Sequence, residues 1–288
     1  MQTSLHTPDG VSLHLRHWAP GQPARGTVLL VHGLGEHIGR YAHVAAHLNA
    51  GGWHVLGYDQ RGHGASGGAR GAVPRWDSLL FDLGQVVEAA RADLPGPLVL
   101  LGHSMGGLVA GRYVAEGLKK RPYAWWRKVD ALVMSSPALD AGLGWPQKML
   151  LAISCRLLPG LSVGNGLDPA WVSRDPHVVE AYRRDPLVHD RITPRLARFI
   201  VDQGELVRRL ASMWRMPTAL IYAGSDRCVA SRGSDGFAAV APPKRVWSKR
   251  YERLSHEIFN EPEQRTVLAD LTRWLDTQPV LARAEATA

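Results

Sequence analysis

The sequence predicts an α/β fold: a mostly parallel, doubly wound sheet with an inserted helical cap. Three observations predict it. Short apolar runs that read as buried strands alternate with longer stretches of helical spacing, the pattern of parallel strands joined by crossover helices. One strand-to-helix junction is a Gly-x-Ser-x-Gly turn, Gly102-His103-Ser104-Met105-Gly106. From Pro137 to about Met213 no strand pattern occurs, although a connection between elements usually takes about 2–6 residues.

In chain order, Asp9-Gly10 is a hairpin signal, and Val11 to Arg16 alternates as an exposed hairpin strand does. Thr27 to Val31 is a buried strand running into His32-Gly33-Leu34-Gly35-Glu36-His37, and a helix carrying His43 and His47 follows. Trp53 to Asp59 is the next buried strand, followed by the glycine-rich Gln60 to Gly68. A helix runs from about Arg75 to Asp93, then the strand Pro97 to Leu101, the Ser104 turn and a helix through Ala115. Ala131 to Met134 is a further strand. Within the cap the first helix spans Pro146 to Leu158, with Leu150, Ile153 and Leu157 at helical spacing. Thr218 to Ala223 and Val246 to Tyr251 are the last strands, and Glu261 to Asp276 is the last helix. The chain divides into core residues 1–137, a cap or lid over 138–213, core residues 214–278, and a frayed Ala-rich tail over 279–288.

The Ser104 turn is a nucleophile elbow. The sharp turn forces the serine into a strained backbone conformation and holds its hydroxyl above a helix start. Serine alone is a weak nucleophile and needs a base oriented by a carboxylate. On such elbows the chain order is serine, then an acid, then histidine. Asp226 leaves the carboxyl end of a strand, where ligands meet open α/β sheets. His256, one of 13 histidines, falls on the next loop at the same edge. The expected catalytic set is therefore Ser104, Asp226 and His256. The backbone N–H groups of Leu34 and Met105 are the expected oxyanion donors. Removing one such donor typically costs about 2.7–4 kcal/mol of transition-state stabilisation. His32 and His103 read as hydrogen bonders that shape these loops.

Composition narrows the class. With 45% hydrophobic and 21% charged residues, the 288-residue chain has the balance of a globular protein with a sizeable core. It has no uninterrupted apolar run near the roughly 18 residues of a membrane span. Its first residues lack the basic and apolar stretches of a signal peptide, and Cys155 and Cys228 form neither a disulfide framework nor a metal motif. A cytoplasmic location, at most peripheral to the inner membrane surface, is the simplest expectation. The net charge of +8 comes with no basic helix face and no RNA-binding signature, so nucleic acid is not an expected partner. The densest basic cluster, 119–128, interleaves Trp125 and Trp126 with cations and lies at the end of the sheet away from Ser104; its tryptophans are expected to pack under the preceding helix. Gly62, Gly64 and Gly67 match a dinucleotide fingerprint in form, but no helix opens at the third glycine. His43 and His47 have ligand spacing without a third ligand. No cofactor and no metal are expected, and nothing points to an oligomeric state.

With these residues in view, the chain resembles the monoacylglycerol lipase and lysophospholipase group of α/β hydrolases, which carry a serine aminopeptidase S33-type domain. The resemblance spans nearly the whole chain. It rests on His32 to Tyr41, Tyr58 to Gly64, Gly102 to Gly107, Gly224 to Arg227 and His256 to Glu261, with cap stretches Leu161 to Gly164 and Asp185 to Val188. It implies the α/β-hydrolase fold, Ser104, Asp226 and His256 as the triad, and Leu34 and Met105 as oxyanion donors. It also implies a lipid monoester substrate, taken by a cap that can rest on a membrane. The stripe of Leu150, Ile153 and Leu157 either docks the cap on the sheet or supplies apolar surface for an acyl pocket or lipid; a substrate pocket at these three residues is the sharper expectation. Two other enzyme readings share the fold: a small-ester esterase, and an aminopeptidase whose substrate amine is held by one of Asp168, Asp175, Glu180 or Asp185. A dehalogenase would carry Asp at the elbow. A binding protein without turnover would not need a complete triad.

Overall fold

The computed structural model describes residues 2–281. Ten strands occur in chain order: β1 (Ser4–His6), β2 (Ser12–Trp18), β3 (Gly26–Val31), β4 (Trp53–Tyr58), β5 (Leu98–His103), β6 (Ala131–Ser135), β7 (Val163–Gly164), β8 (Arg191–Ile192), β9 (Thr218–Ala223) and β10 (Val246–Tyr251). Eight helices accompany them: α1 (Ala42–Ala50), α2 (Ser78–Asp93), α3 (Met105–Glu116), α4 (Trp145–Leu157), α5 (Pro176–Arg184), α6 (Pro194–Arg209), α7 (Arg232–Val240) and α8 (Gln264–Asp276).

Eight strands form one sheet in the order β1-β2-β4-β3-β5-β6-β9-β10. It is parallel from β4 to β10; β2 joins β4, and β1 joins β2, antiparallel. The central strands β3, β5, β6 and β9 are buried along their whole length, which is why they read as continuous apolar runs. Successive strand side chains point to opposite faces, and each face has its own core. Leu29, Leu100, Leu132 and Leu220 pack under α2, α3, α6 and α7. Val28, Leu101, Val133 and Ile221 pack under α1 and α8. The doubly wound sheet read from the sequence is thus the observed one.

Several elements differ from the sequence reading. The strand after Asp9-Gly10 forms the expected hairpin, with β1, but is not exposed, because Leu13 and Leu15 point into the core and only the alternate residues face outward. Its partner β1 and the helix α7 left no sequence signal. Helix α2 starts at Ser78 rather than Arg75, because the Ser78 Oγ accepts the Arg75 N–H in a turn after Pro74. Helix α8 starts at Gln264, since Glu261 is committed to Arg174 and the Ser255 N–H. The cap segment holds one short antiparallel pair, β7 with β8, too brief to show in composition. Pro279–Leu281 form a turn of 3₁₀ helix that buries Leu281, so this part of the expected frayed tail is ordered by packing; 282–288 lie outside the described residues. Trp125 of the basic cluster is buried beside Tyr113, under α3 as expected.

The segment between β6 and β9 divides in two by its packing. Helix α6 buries Leu196, Phe199, Ile200 and Val207 and lies on α3. Helix α4 buries no residue. No helix among the described residues is long and apolar enough to cross a membrane.

Candidate active site

The turn after β5 builds the site. Ser104 has φ 54° and ψ −121°, a region an L-residue occupies only when its surroundings hold it there. They do: its N–H donates to Ser135 O at 2.9 Å, and its carbonyl accepts the N–H groups of Leu108 and Ala138 at 3.0 Å each. Gly106 is required next to it, because a Cβ would sit 2.1 Å from the Val31 carbonyl oxygen of the adjacent strand.

Three side chains from three loops meet at this edge. The Ser104 Oγ lies 2.8 Å from His256 Nε2, and His256 Nδ1 lies 2.7 Å from Asp226 Oδ2. With Nδ1 donating to the carboxylate, Nε2 is left to accept the serine proton. The other Asp226 oxygen accepts the N–H groups of Cys228 at 2.8 Å and Val229 at 3.0 Å, which fixes the carboxylate. Burial alone would push the His256 imidazole down; the charge and hydrogen bond of Asp226 outweigh it and hold it above the ordinary histidine range. Burial would raise Asp226, but His256 and the two N–H groups hold it below the usual carboxylate range. The neighbouring His103 is buried and pressed by His256, and falls to about 4. It therefore stays neutral, with Nδ1 3.2 Å from Ser135 Oγ. His32 spans its loop between Gly33 O and the Gln60 N–H, each at 2.8 Å.

Leu34 and Met105 flank Ser104 in the wall of one cavity. Among the described residues no group accepts a hydrogen bond from either backbone N–H, so both donors are available. The loop that carries Leu34 is held from below and above. The Gly33 N–H donates to Glu36 Oε1 at 2.6 Å, and Tyr41 Oη donates to the same oxygen at 2.7 Å. Arg40 ties Glu36 to Glu257, the residue after His256. From above, the cap residue His189 donates its N–H to Gly35 O at 2.8 Å. Gly35 has φ +78°, and a Cβ there would collide with the His189 carbonyl oxygen at 2.3 Å. Sequence reasoning named Glu36 and Glu257 only as parts of motifs, and only their partner, distant in the chain, gives them a role. In the glycine-rich loop after β4 the Gly62 N–H donates to Gly67 O and the Gly67 N–H to Ser12 O of β2, so these two amides hold the loop to itself and to the sheet.

Two cavities meet at Ser104. One, of about 310 Å³ and the more polar of the two, sets Glu36, Arg183, Asp185 and His189 beside apolar Leu34, Leu167, Val172 and Val188. The other, of about 200 Å³, is apolar, with Ala138, Leu143, Ile192, Ile200 and Val201 in its wall. Leu150, Ile153 and Leu157 line neither. They are 65%, 52% and 70% exposed on α4, so the pocket expected at these residues is corrected: the helix turns its stripe outward. The cavity wall comes instead from α6, β8 and the loop after β6. Of the four cap carboxylates weighed for a substrate amine, Asp168 and Asp185 border the polar cavity, as does Asp190; Asp185 is bound to His37 at 2.8 Å. Asp175 caps α5, and Glu180 pairs with Arg184.

Comparison with known proteins shows the family. Residues 22–263 match the family model of the serine aminopeptidases, S33. The chain belongs to the serine aminopeptidase S33 family. Among relatives of this S33 protein, a monoacylglycerol lipase of Mycolicibacterium smegmatis is 37% identical over 271 residues, 92% of this chain and 93% of the relative. A phospholipase of Bacillus subtilis is 30% identical over 256 residues, covering 87% and 94%. The crystal structure of a monoacylglycerol lipase of Paleococcus ferrophilus, 31% identical, superposes with a TM-score of 0.81 over 94% of this chain and 99% of that one. The S33 chain has the α/β-hydrolase fold.

Proposed function

We propose that the chain hydrolyses carboxylic esters of single-chain lipids, monoacylglycerol first among them, through an acyl-enzyme. The observation that carries this is the position of Ser104 at the junction of an apolar cavity and a mixed one that carries Glu36, Arg183, Asp185 and His189, which suits one acyl chain on one side and a small hydroxylated alcohol on the other. The relatives named as monoacylglycerol lipases support it.

In this reading Ser104 Oγ attacks the ester carbonyl as His256 Nε2 takes its proton. Asp226 holds the imidazole and stabilises the imidazolium. The carbonyl oxygen gains negative charge and accepts the N–H groups of Leu34 and Met105. His256 then protonates the alcohol oxygen as the C–O bond breaks, and the alcohol leaves through the polar cavity. Water, deprotonated by His256, attacks the acyl-serine and releases the fatty acid.

Residues 138–213 act as the cap, on a core of 1–137 and 214–278. The outward stripe of α4, with Trp145, Met149, Leu150, Ile153 and Leu157, is the surface that would rest on a membrane while the chain stays peripheral. The free thiols of Cys155 and Cys228 suit a reducing, cytoplasmic setting.

The test is a panel of monoacylglycerols, triacylglycerol, short esters and peptides with free amino termini, run on the native chain and on Ser104→Ala. Turnover of monoacylglycerol above triacylglycerol and peptides, lost in Ser104→Ala, is the expected result. A peptide cleaved better than any ester would replace this reading with the aminopeptidase one, in which Asp168 faces the substrate amine.

A further inference from the structure

The Cys228 thiol has no part in the reaction above, yet the residue sits two after Asp226 and lines both cavities. One ligand atom each from Asp226, Cys228 and His256 lie within 4.8 Å of one another. Nitrogen, sulfur and carboxylate oxygen are the donors Zn²⁺ takes, in a tetrahedron with bonds of about 2.0–2.3 Å. Ligand atoms in such a tetrahedron stand roughly 3.3–3.8 Å apart. An ion that takes His256 Nδ1 therefore parts the His256–Asp226 contact, now 2.7 Å, and draws the more distant ligand atoms inward by up to about 1 Å, within the reach of side-chain rotation. The polar cavity gives a hydrated ion a way in, and the fourth position is open to Ser104 Oγ or water. Charge favours a cation here as well. Glu36 and Glu257 share the single Arg40, so together with Asp226 they leave the site net negative.

We propose that a thiophilic divalent cation of the Zn²⁺ type binds Cys228, His256 and Asp226 and reversibly switches the enzyme off. On binding, the thiol passes its proton to water and becomes the thiolate ligand. The metal takes the lone pair of Nε2, or that of Nδ1 with the imidazole proton moved to Nε2, in place of the Nδ1–H donated to Asp226. In either case His256 no longer accepts the Ser104 proton. The sequence pair His43 and His47 is no competitor, because His43 Nε2 is bound to Phe259 O and His47 Nε2 to Thr272 Oγ1, each at 2.8 Å.

The inhibition rests on the triad reading of Ser104, so the first measurement does not use turnover. The purified chain, treated with chelator and dialysed, is titrated with Co²⁺. A thiolate-to-cobalt charge-transfer band is expected for the native chain and not for Cys228→Ser. Zn²⁺ is then titrated against hydrolysis of a soluble short-chain ester, each protein referenced to its own metal-free rate. Inhibition relieved by chelator is expected, with half-inhibition in Cys228→Ser shifted upward by at least the roughly 10–100-fold that loss of an outer-shell partner costs a metal site. A native chain without the cobalt band overturns the site, as does inhibition undiminished in Cys228→Ser or inhibition that moves with His47→Ala instead. A band in a chain that turns over no ester would support the site and refute the hydrolase reading.

Discussion

Arg40 grips Glu257 through both guanidinium arms, Nη1 to Oε1 at 2.5 Å and Nη2 to Oε2 at 2.6 Å, and Nη1 also reaches Glu36 Oε2 at 2.8 Å. This buried fork links the loop of Leu34, the proposed oxyanion donor, to the loop of His256. Its guanidinium also lies 4.7 Å from the ring centroid of the cap residue Tyr182. Removing one partner of such a pair leaves a buried charge uncompensated, at about 3–5 kcal/mol. Arg40→Ala is therefore expected to lose stability of that order in denaturant unfolding. Arg40→Lys, with one point charge in place of the fork, should fall between Ala and the native chain. Equal stability of Arg40→Ala and the native chain would show that the fork is not structural.

The fork also predicts the acid limit. Arg40 and the Asn260 amide outweigh burial and hold Glu257 at about 2, against an ordinary 4.5. A carboxylate lowered in the folded state stabilises above its unfolded value and loses that contribution as the pH falls through the folded one. Stability should therefore decline from about pH 4.5 toward about 2, and Glu257→Gln should flatten this limb in thermal melts across that range.

Ser104→Ala, His256→Ala and Asp226→Asn should each lower kcat by several orders of magnitude, the Asp variant by about 10⁴-fold. The double variants should lose little more than the worst single, because the three act as a unit. Labelling by a fluorophosphonate probe should vanish in Ser104→Ala, whose fold should remain intact by circular dichroism.

His256 must be neutral to accept the serine proton, and Asp226 holds it above its ordinary 6.5. The acid limb of kcat/KM should thus lie above pH 6.5, with the rate rising as pH rises through it. In Asp226→Asn the residual limb should move to lower pH. A limb unmoved by that substitution would assign it to another group.

Chain length should be read by the apolar cavity and not by α4. Each methylene that leaves water contributes about 0.8 kcal/mol, roughly fourfold in kcat/KM, until the cavity is full. Ile200→Trp or Val201→Trp should end that gain at a shorter chain. Leu150→Asp or Leu157→Asp should leave dissolved short esters almost unaffected and weaken binding to lipid vesicles, measured by sedimentation. Loss of short-ester hydrolysis in Leu157→Asp would return α4 to the pocket.

What the sequence by itself determined is local or periodic. The elbow at Ser104 is a turn whose glycines answer steric demands within a few residues, and it stands in the structure at φ 54°. The central strands are legible because burial on both faces requires unbroken apolar runs. Asp226 and His256 could be placed because each leaves a strand at the sheet edge where Ser104 stands.

Only the tertiary structure decided how distant segments face one another. Arg40 and Glu257 are 217 residues apart, and nothing local marks them as partners. The helical spacing of Leu150, Ile153 and Leu157 gave a stripe but not its direction, because a stripe faces inward only where another surface covers it. Here α6 covers α3 and lines the apolar cavity, and α4 is left outside with its apolar face uncovered. Periodicity reports which side chains share a face; what that face meets is set by the packing of elements far apart in the chain.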